Sequence, residues 1–117
     1  MKTIVRWFRI ALAAMVATSL ASGITAAVAG ERPTTHTVEI KDLQFHPQDL
    51  TISVGDTVVW KNLDAFAHTA TATGRFDSHA IASKGSWKHT FKKAGVIGYA
   101  CSVHPTMHGK LRVEKDT

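Results

Sequence analysis

Three residues that can bind a metal lie within seven positions near the C-terminal end of the sequence. Cys101 is the only cysteine in the chain, His104 follows it by three positions, and Met107 follows His104 by three more. A thiolate, an imidazole and a thioether are a ligand combination that suits copper. The known electron-transfer site of this type uses two histidines with one cysteine and a weak axial methionine. The pattern therefore calls for a second histidine from elsewhere in the chain.

His68 is the best-placed candidate for the second histidine. It follows a turn at residues 62–64 and precedes Cys101 by 33 positions, which leaves room for a long connection and further strands. In a β-sandwich, strand ends that far apart in sequence commonly meet at one end of the domain. Among the remaining histidines, His36 and His46 are expected at the surface and His79 in a connection. His89 is expected to be half-buried in a strand, and His108 to point away from the site.

The rest of the chain predicts an all-β domain. Short runs of alternating apolar and polar residues, separated by turn residues, are typical of strands. Such runs occupy residues 38–41, 50–54, 57–60, 87–92, 96–100 and 110–114. We predict a Greek-key β-sandwich of seven or eight strands. Residues 73–85 show little periodicity and are interpreted as a long connection with one helical turn near Ala80.

The strand that ends at the cysteine determines where its thiol points. Ile97, Tyr99 and Cys101 occupy alternate positions and therefore share one face of the strand. We expect that face to be the interior one. The residues that follow should curl over the end of the sandwich as a loop, and Pro105 supports this because its ring fixes its own φ.

The first 29 residues predict a signal peptide, followed by a flexible leader at 30–35 and one domain at 36–117. Lys2, Arg6 and Arg9 precede an apolar stretch at 10–20, and small residues at 27–29 form a cleavage site. The apolar stretch is shorter than the about 20 residues that a membrane-spanning helix needs. We therefore expect a cleaved signal, export to the periplasm and no stable membrane insertion, with an uncleaved anchor as the alternative.

Charge and cysteine content reduce the number of possible functions further. Residues 30–117 carry 11 basic and nine acidic groups, a net charge of +2, which does not indicate nucleic-acid binding. A single cysteine cannot form an internal disulfide, and an unoccupied thiol is a liability in an oxidising compartment. Metal binding gives Cys101 a reason to be present.

The sequence also resembles a known family, the type 1 (blue) copper cupredoxins. The resemblance is carried by these residues: Trp60, His68, Gly95, Tyr99, Cys101, His104, Pro105, Met107 and Gly109. The Cys-x2-His-x2-Met spacing is most similar to that of the amicyanins. The resemblance implies that His68, Cys101 and His104 bind one copper ion in a plane and that Met107 caps it. Thr69 stands where many members have an asparagine that ties the two ligand loops together, and a hydroxyl can make a similar hydrogen bond.

The function implied by the resemblance is that of a small monomeric electron carrier and not of an enzyme. Its redox partner, a c-type cytochrome or a dehydrogenase or oxidase, would dock transiently on an apolar patch around His104 that includes Phe66, Val103 and Pro105. Four lysines are expected to steer an acidic partner toward this patch: Lys84, Lys88, Lys92 and Lys93.

Other interpretations of the same residues remain open. A periplasmic copper-binding or trafficking protein would use the same soft ligands, but it often has extra methionines, and only Met107 lies outside the signal segment. Zinc accepts cysteine and histidine but binds methionine poorly. Cys101 as an inert buried thiol, or as a nucleophile activated by a histidine, explains the spacing less well. A multicopper enzyme would need His-x-His clusters, which the sequence lacks.

Overall fold

The computed structural model describes residues 32–115, and this part of the chain is all-β. It contains nine strands: β1 Thr35–Lys41, β2 Gln44–His46, β3 Asp49–Ser53, β4 Thr57–Asn62, β5 Thr71–Ala72, β6 Phe76–Asp77, β7 Ser86–Thr90, β8 Gly95–Cys101 and β9 His104–Glu114. Within the same residues there is no helix of the length and hydropathy needed to cross a membrane. The predicted signal peptide at 1–29 and the first two residues of the predicted leader at 30–35 lie outside the described part.

The strands form two sheets packed on a shared core, which confirms the predicted β-sandwich. One sheet has the order β2-β1-β4-β7 and the other β3-β9-β8-β5-β6. Alternate residues of the central strands face inward, as their period of two requires. Val38, Val58 and Trp60 are fully buried in the first sheet, and Cys101 and Leu111 are fully buried in the second.

Strand direction brings residues distant in sequence to two opposite ends of the sandwich. We call one end the site pole, where β4 ends at Asn62, β8 ends at Cys101 and β9 begins at His104. We call the other end the distal pole. There, the amide of Val54 donates to the carbonyl of Glu114 at 2.9 Å, and the amide of Gly55 donates to the carbonyl of Phe91 at 2.7 Å.

The stretch predicted as a connection with a helical turn differs from that prediction. Residues 73–85 contribute β6, which pairs with β5, and these two-residue strands raise the count from the predicted seven or eight to nine. No helical turn forms near Ala80. Instead, Ile81 forms a bridge with His68, and its carbonyl also accepts from the side-chain amide of Asn62. These contacts occupy the backbone groups that a helical turn would use.

The tight pairing of β8 with β9 requires a glycine opposite Tyr99. Gly109 pairs with Tyr99, and a Cβ atom at Gly109 would overlap the tyrosine ring. Tyr99 is held among Phe45, Trp60 and Phe76, so the ring has little space to move. Burial raises the pKa of Tyr99 to about 12, which keeps its hydroxyl protonated at neutral pH.

This contact predicts that an alanine destabilises the domain at one glycine of the strand pair and is tolerated at another. Gly109→Ala should lower the free energy of unfolding by about 1–3 kcal/mol, the usual cost of overpacking a core. Gly98→Ala is the matched control because a Cβ there meets nothing within 4 Å. Urea titrations of both variants measure the difference, and an equal effect of the two substitutions would contradict the steric argument.

Candidate metal centre

One group of residues within the described part of the chain can hold a metal ion through three side chains. The ligand atoms of His68, Cys101 and His104 all lie within 4.8 Å of one another. The sulfur of Cys101 is 3.7 Å from Nδ1 of His68 and 3.8 Å from Nδ1 of His104. His68 and Cys101 are fully buried, whereas His104 is partly exposed.

These distances fit a metal ion at the centre of the three ligands. Bonds of about 2.3 Å to sulfur and about 2.0–2.1 Å to nitrogen would let one metal ion reach both atoms of a sulfur–nitrogen pair that are up to about 4.3 Å apart. The observed separations of 3.7 and 3.8 Å lie within that limit. The set of one thiolate and two imidazoles is also the one that copper favours in trigonal sites.

A carboxylate orients the buried histidine. Asp64 lies four residues before His68, and its Oδ2 is 2.7 Å from Nε2 of that histidine. The same carboxylate accepts the backbone amides of Asp42 at 2.8 Å and Leu43 at 3.1 Å. A carboxylate partner on one ring nitrogen sets the tautomer of a metal-binding histidine. With Nε2 carrying the proton toward Asp64, the lone pair of Nδ1 faces Cys101.

The electrostatics of Asp64 agree with this role. Burial acts to raise the pKa of the Asp64 carboxyl, but hydrogen bonds from the Leu43 amide, the His68 ring and the Asp42 amide outweigh it, and the pKa lies below its usual value. The group is therefore ionised at neutral pH and available as an acceptor.

Asn62 shapes the loop that carries both Asp64 and His68. Its side chain is fully buried and donates to the carbonyls of Phe66 and Ile81, each at 2.9 Å. Its Oδ1 accepts the amide of Asp64 at 3.0 Å. The sequence predicts only a turn at residues 62–64 and does not reveal the roles of the Asn62 and Asp64 side chains. The available signal was the Asn-x-Asp spacing, which is typical of turns closed by side-chain hydrogen bonds.

Thr69 connects the two segments that supply the cluster. Its backbone amide donates to the sulfur of Cys101 at 3.3 Å, and its hydroxyl accepts the amide of Ser102 at 2.8 Å. The structure thus contains the hydrogen bond expected for a threonine at this position. The hydroxyl also contacts that of Thr71 at 2.9 Å, and Thr71 donates to Asp77 at 3.1 Å.

The segment after Cys101 is shorter and more regular than the predicted loop. Only Ser102 and Val103 form a turn before β9 begins at His104. Cys101 pairs with His104 whereas Ala100 pairs with His108, so residues 105–107 are extra on the β9 side and interrupt the register. Such an irregularity re-aims side chains, and Met107 is only 3% exposed, within the hydrophobic core that also contains Cys101.

Apolar side chains surround the exposed edge of His104. The ring of Phe66 lies 5.7 Å from that of His104 and 5.0 Å from that of His68. Phe66 is 48% exposed and Val103 is 60% exposed, and Pro105 is also exposed. The patch expected around His104 is therefore present at the site pole.

The lysines expected to serve this patch are not grouped around it. Lys84 lies at the site pole, where its amide donates to the carbonyl of Asn62. Lys88 is in the middle of β7, opposite Val59. Lys92 and Lys93 follow the end of β7 and precede β8, which places them at the distal pole. Lys92 and Lys93 therefore do not lie beside the patch, because β7 runs away from the site pole.

The other histidines lie apart from the cluster. His46, His79 and His108 are exposed, and half-buried His89 stacks on Trp87 and meets Phe91 edge to face. His36 was expected to face solvent but is only partly exposed, because its Nε2 bonds Asp56 at 2.9 Å.

Comparison of the whole domain with known proteins also indicates copper binding. The family model described as copper binding proteins, plastocyanin/azurin family, matches residues 33–114. Amicyanin from Paracoccus denitrificans is 34% identical over 84 residues, which are 66% of this chain and 63% of that protein. Amicyanin-alpha from Methylorubrum extorquens is 30% identical over 114 residues, 92% of this chain and 96% of that protein. The matched region thus spans less than two thirds of the Paracoccus protein.

Solved amicyanin structures share the fold. The oxidised form of one point mutant has 28% sequence identity and a TM-score of 0.65, covering 68% of this chain and 81% of that chain. The Cu(I) form of another has 29% identity and a TM-score of 0.65, covering 74% and 88%. With the cluster of one cysteine and two histidines and a family match over nearly all described residues, the chain belongs to the plastocyanin/azurin family of copper-binding proteins.

Proposed function

We propose that this protein is a small electron carrier in which His68, Cys101 and His104, together with Met107, would hold one type 1 copper ion. The observation that carries the proposal is the sulfur of Cys101 at 3.7 and 3.8 Å from two Nδ1 atoms that face it. When bound, copper supplies a one-electron couple between its +1 and +2 states. The amicyanins that this chain resembles include structures in oxidised and Cu(I) forms.

A carrier of this kind must change oxidation state without rearranging its ligands. Cu(I) and Cu(II) prefer different geometries, so a rigid compromise reduces the movement on electron transfer. In this chain, Asp64 restrains the ring of His68, and the amide of Thr69 donates to the sulfur of Cys101. Both restrained ligands are fully buried, which also excludes water from that side of the site.

Met107 completes the proposed ligand set. The residue is buried in the core on the same strand as His104, three positions farther along. As a thioether, it would be a weak copper ligand that tunes the reduction potential. Its role is therefore more to adjust the copper site than to hold it.

Electrons would enter and leave through the exposed edge of His104. The patch of Phe66, Val103 and Pro105 around it suits brief contact with a redox partner, for which we propose a c-type cytochrome or a dehydrogenase or oxidase. Such contacts belong to the small end of interface sizes. We further propose that the carrier is monomeric and acts in the periplasm after cleavage of residues 1–29.

The two competing functions fit the site less well. A copper-trafficking protein needs an exchangeable site, whereas His68 and Cys101 are fully buried and hydrogen bonded. An enzyme that uses Cys101 as a nucleophile needs access to its thiol, which has no exposed surface. Electron transfer needs only the partly exposed edge of His104.

The visible absorption spectrum after addition of one equivalent of Cu(II) tests the proposed site. We expect an intense blue thiolate-to-copper band that a mild reductant bleaches reversibly and that Cys101→Ser abolishes. Met107→Leu should keep the band but shift the reduction potential, and His79→Ala should change neither, because His79 is 86% exposed and lies outside the cluster. A pale spectrum, or tight binding of Cu(I) alone, would instead support copper trafficking, and no binding would refute both functions.

Asp64→Asn tests the orientation of His68. An amide cannot replace a carboxylate that accepts three donors, so we expect copper affinity to fall about 10- to 100-fold, the usual effect of losing an outer partner of a metal ligand. Asp42→Asn removes an equal charge from the adjacent hairpin and serves as the control. Competition with a chelator of known affinity measures both, and equal affinities in the two variants would exclude a role for Asp64.

Val103→Asp tests the patch. Two copper-loaded molecules that meet through this face would bring like charges together, which costs several kcal/mol at an interface, so electron self-exchange should slow about ten-fold or more. Val96→Asp is the control, since Val96 is 58% exposed but belongs to the distal half of β8. NMR line broadening in mixed oxidised and reduced samples gives the rates, with the blue spectrum unchanged in both. If Val96→Asp slows exchange as much as Val103→Asp, the patch is not the contact face.

A further inference from the structure

Exposed basic side chains surround two adjoining concavities at the distal pole. The first, of about 440 Å³, is lined by Arg75, Lys92 and Lys93. The second, of about 550 Å³, shares Lys92 and Lys93 and is bordered by Lys115 on its other side. All four cations are exposed. They come from three separate segments, which the fold brings together at this end.

These cations have no carboxylate partner among the described residues. Every ion pair within residues 32–115 joins a histidine to an aspartate, and none includes a lysine or an arginine. Asp56 is the buried carboxylate at this pole, and it is already bonded to His36 and to the amides of Thr34 and Ser53. Glu114 is exposed at the same end.

The net charge of the described residues is concentrated at this pole. Its half of the sandwich carries six basic and two acidic residues: Arg32, Arg75, Lys92, Lys93, Arg112 and Lys115 against Asp56 and Glu114. The remaining described residues carry five of each sign: Lys41, Lys61, Lys84, Lys88 and Lys110 against Glu39, Asp42, Asp49, Asp64 and Asp77. Among the described residues, the site-pole half is therefore neutral, and the distal-pole half carries an excess of four positive charges.

The two poles are electrostatically separate. Strand β8 runs from Gly95 at the distal pole to Cys101 at the site pole, and six residues of strand span about 20 Å. Charges at physiological salt are screened over about 8 Å. The distal cations thus cannot guide a partner to His104, and any acidic partner that they attract is held at the opposite end.

We propose that the distal pole is a docking surface for an acidic segment of a second protein, separate from the electron-transfer patch. The first concavity has the apolar side chains of Phe76 and Ile97 on its lining beneath the basic rim. An apolar centre with a polar rim is the usual anatomy of a protein–protein interface. Carboxylate side chains can enter such concavities, whereas the broad plane of a bilayer would contact only the rim. A partner bound there leaves His104 free.

Titration with a short poly-L-glutamate, followed by amide chemical shifts of the apo-protein, tests this docking surface without copper. We expect shifts centred on residues 92–95 and 115 and binding that weakens with salt. Lys92→Gln combined with Lys93→Gln should raise Kd about five-fold, because it removes two of the four cations, each of which forms only a weak ion pair when exposed to solvent. The control, Lys41→Gln with Lys61→Gln, removes the same charge from exposed positions of β1 and β4 and should change Kd less than about two-fold.

Two results would overturn the proposal. The first is an equal loss of affinity in the control variant, or shifts centred on His104, either of which would show that the pole is not a distinct surface. The second is binding of anionic phosphatidylglycerol vesicles through Lys92 and Lys93 without binding of poly-L-glutamate, which would assign the pole to a membrane surface. Neither outcome depends on copper binding, so the test is independent of the proposed function.

Discussion

The cluster of His68, Cys101 and His104 depends on the hydrogen bond between Asp64 and His68. One carboxylate accepts the Nε2–H of His68 and the amides of Asp42 and Leu43, so it joins the His68 ring, its own loop and the tip of the β1–β2 hairpin. Because this bond commits Nε2, the remaining nitrogen of His68 faces the sulfur of Cys101. Asn62 fixes the loop from beneath by bonding the amide of Asp64 and two carbonyls. The position of the His68 ring thus follows from groups outside the cluster of His68, Cys101 and His104.

The same arrangement gives the cluster two buried, restrained residues and one partly exposed residue. His68 and Cys101 are fully buried, and the amide of Thr69 bonds the sulfur while its hydroxyl holds Ser102 of the following turn. His104 is the one member of the cluster that reaches the surface, and Phe66 and Val103 flank it there. A one-electron carrier needs both properties, since restrained ligands limit rearrangement and a small exposed edge admits the partner. Two sheets whose strand ends meet at one pole provide both at once.

The excess of basic residues and the candidate metal-binding residues lie at opposite ends of the described domain. Within residues 32–115, the cluster of His68, Cys101 and His104 occupies a pole where positive and negative residues balance. The excess of basic residues among them lies about 20 Å away, at the other end of β8. The short range of screened electrostatics makes the two ends independent of each other. The apolar patch and the basic pole are therefore suited to partners of different character.

Local features of the sequence were enough to predict a copper site and the class of fold. Alternation with a period of two predicted the strands and the inward thiol of Cys101, and the types and spacing of Cys101, His104 and Met107 predicted a copper site, because periodicity and ligand softness are local properties. Other features depend on which strand ends lie together in space, so they became visible only in the folded domain. The roles of Asn62 and Asp64 arise because backbone groups of Asp42, Phe66 and Ile81 come within bonding distance of them. Lys84 and Lys92 are close in sequence but lie at opposite poles, since β7 carries the chain from one end of the sandwich to the other.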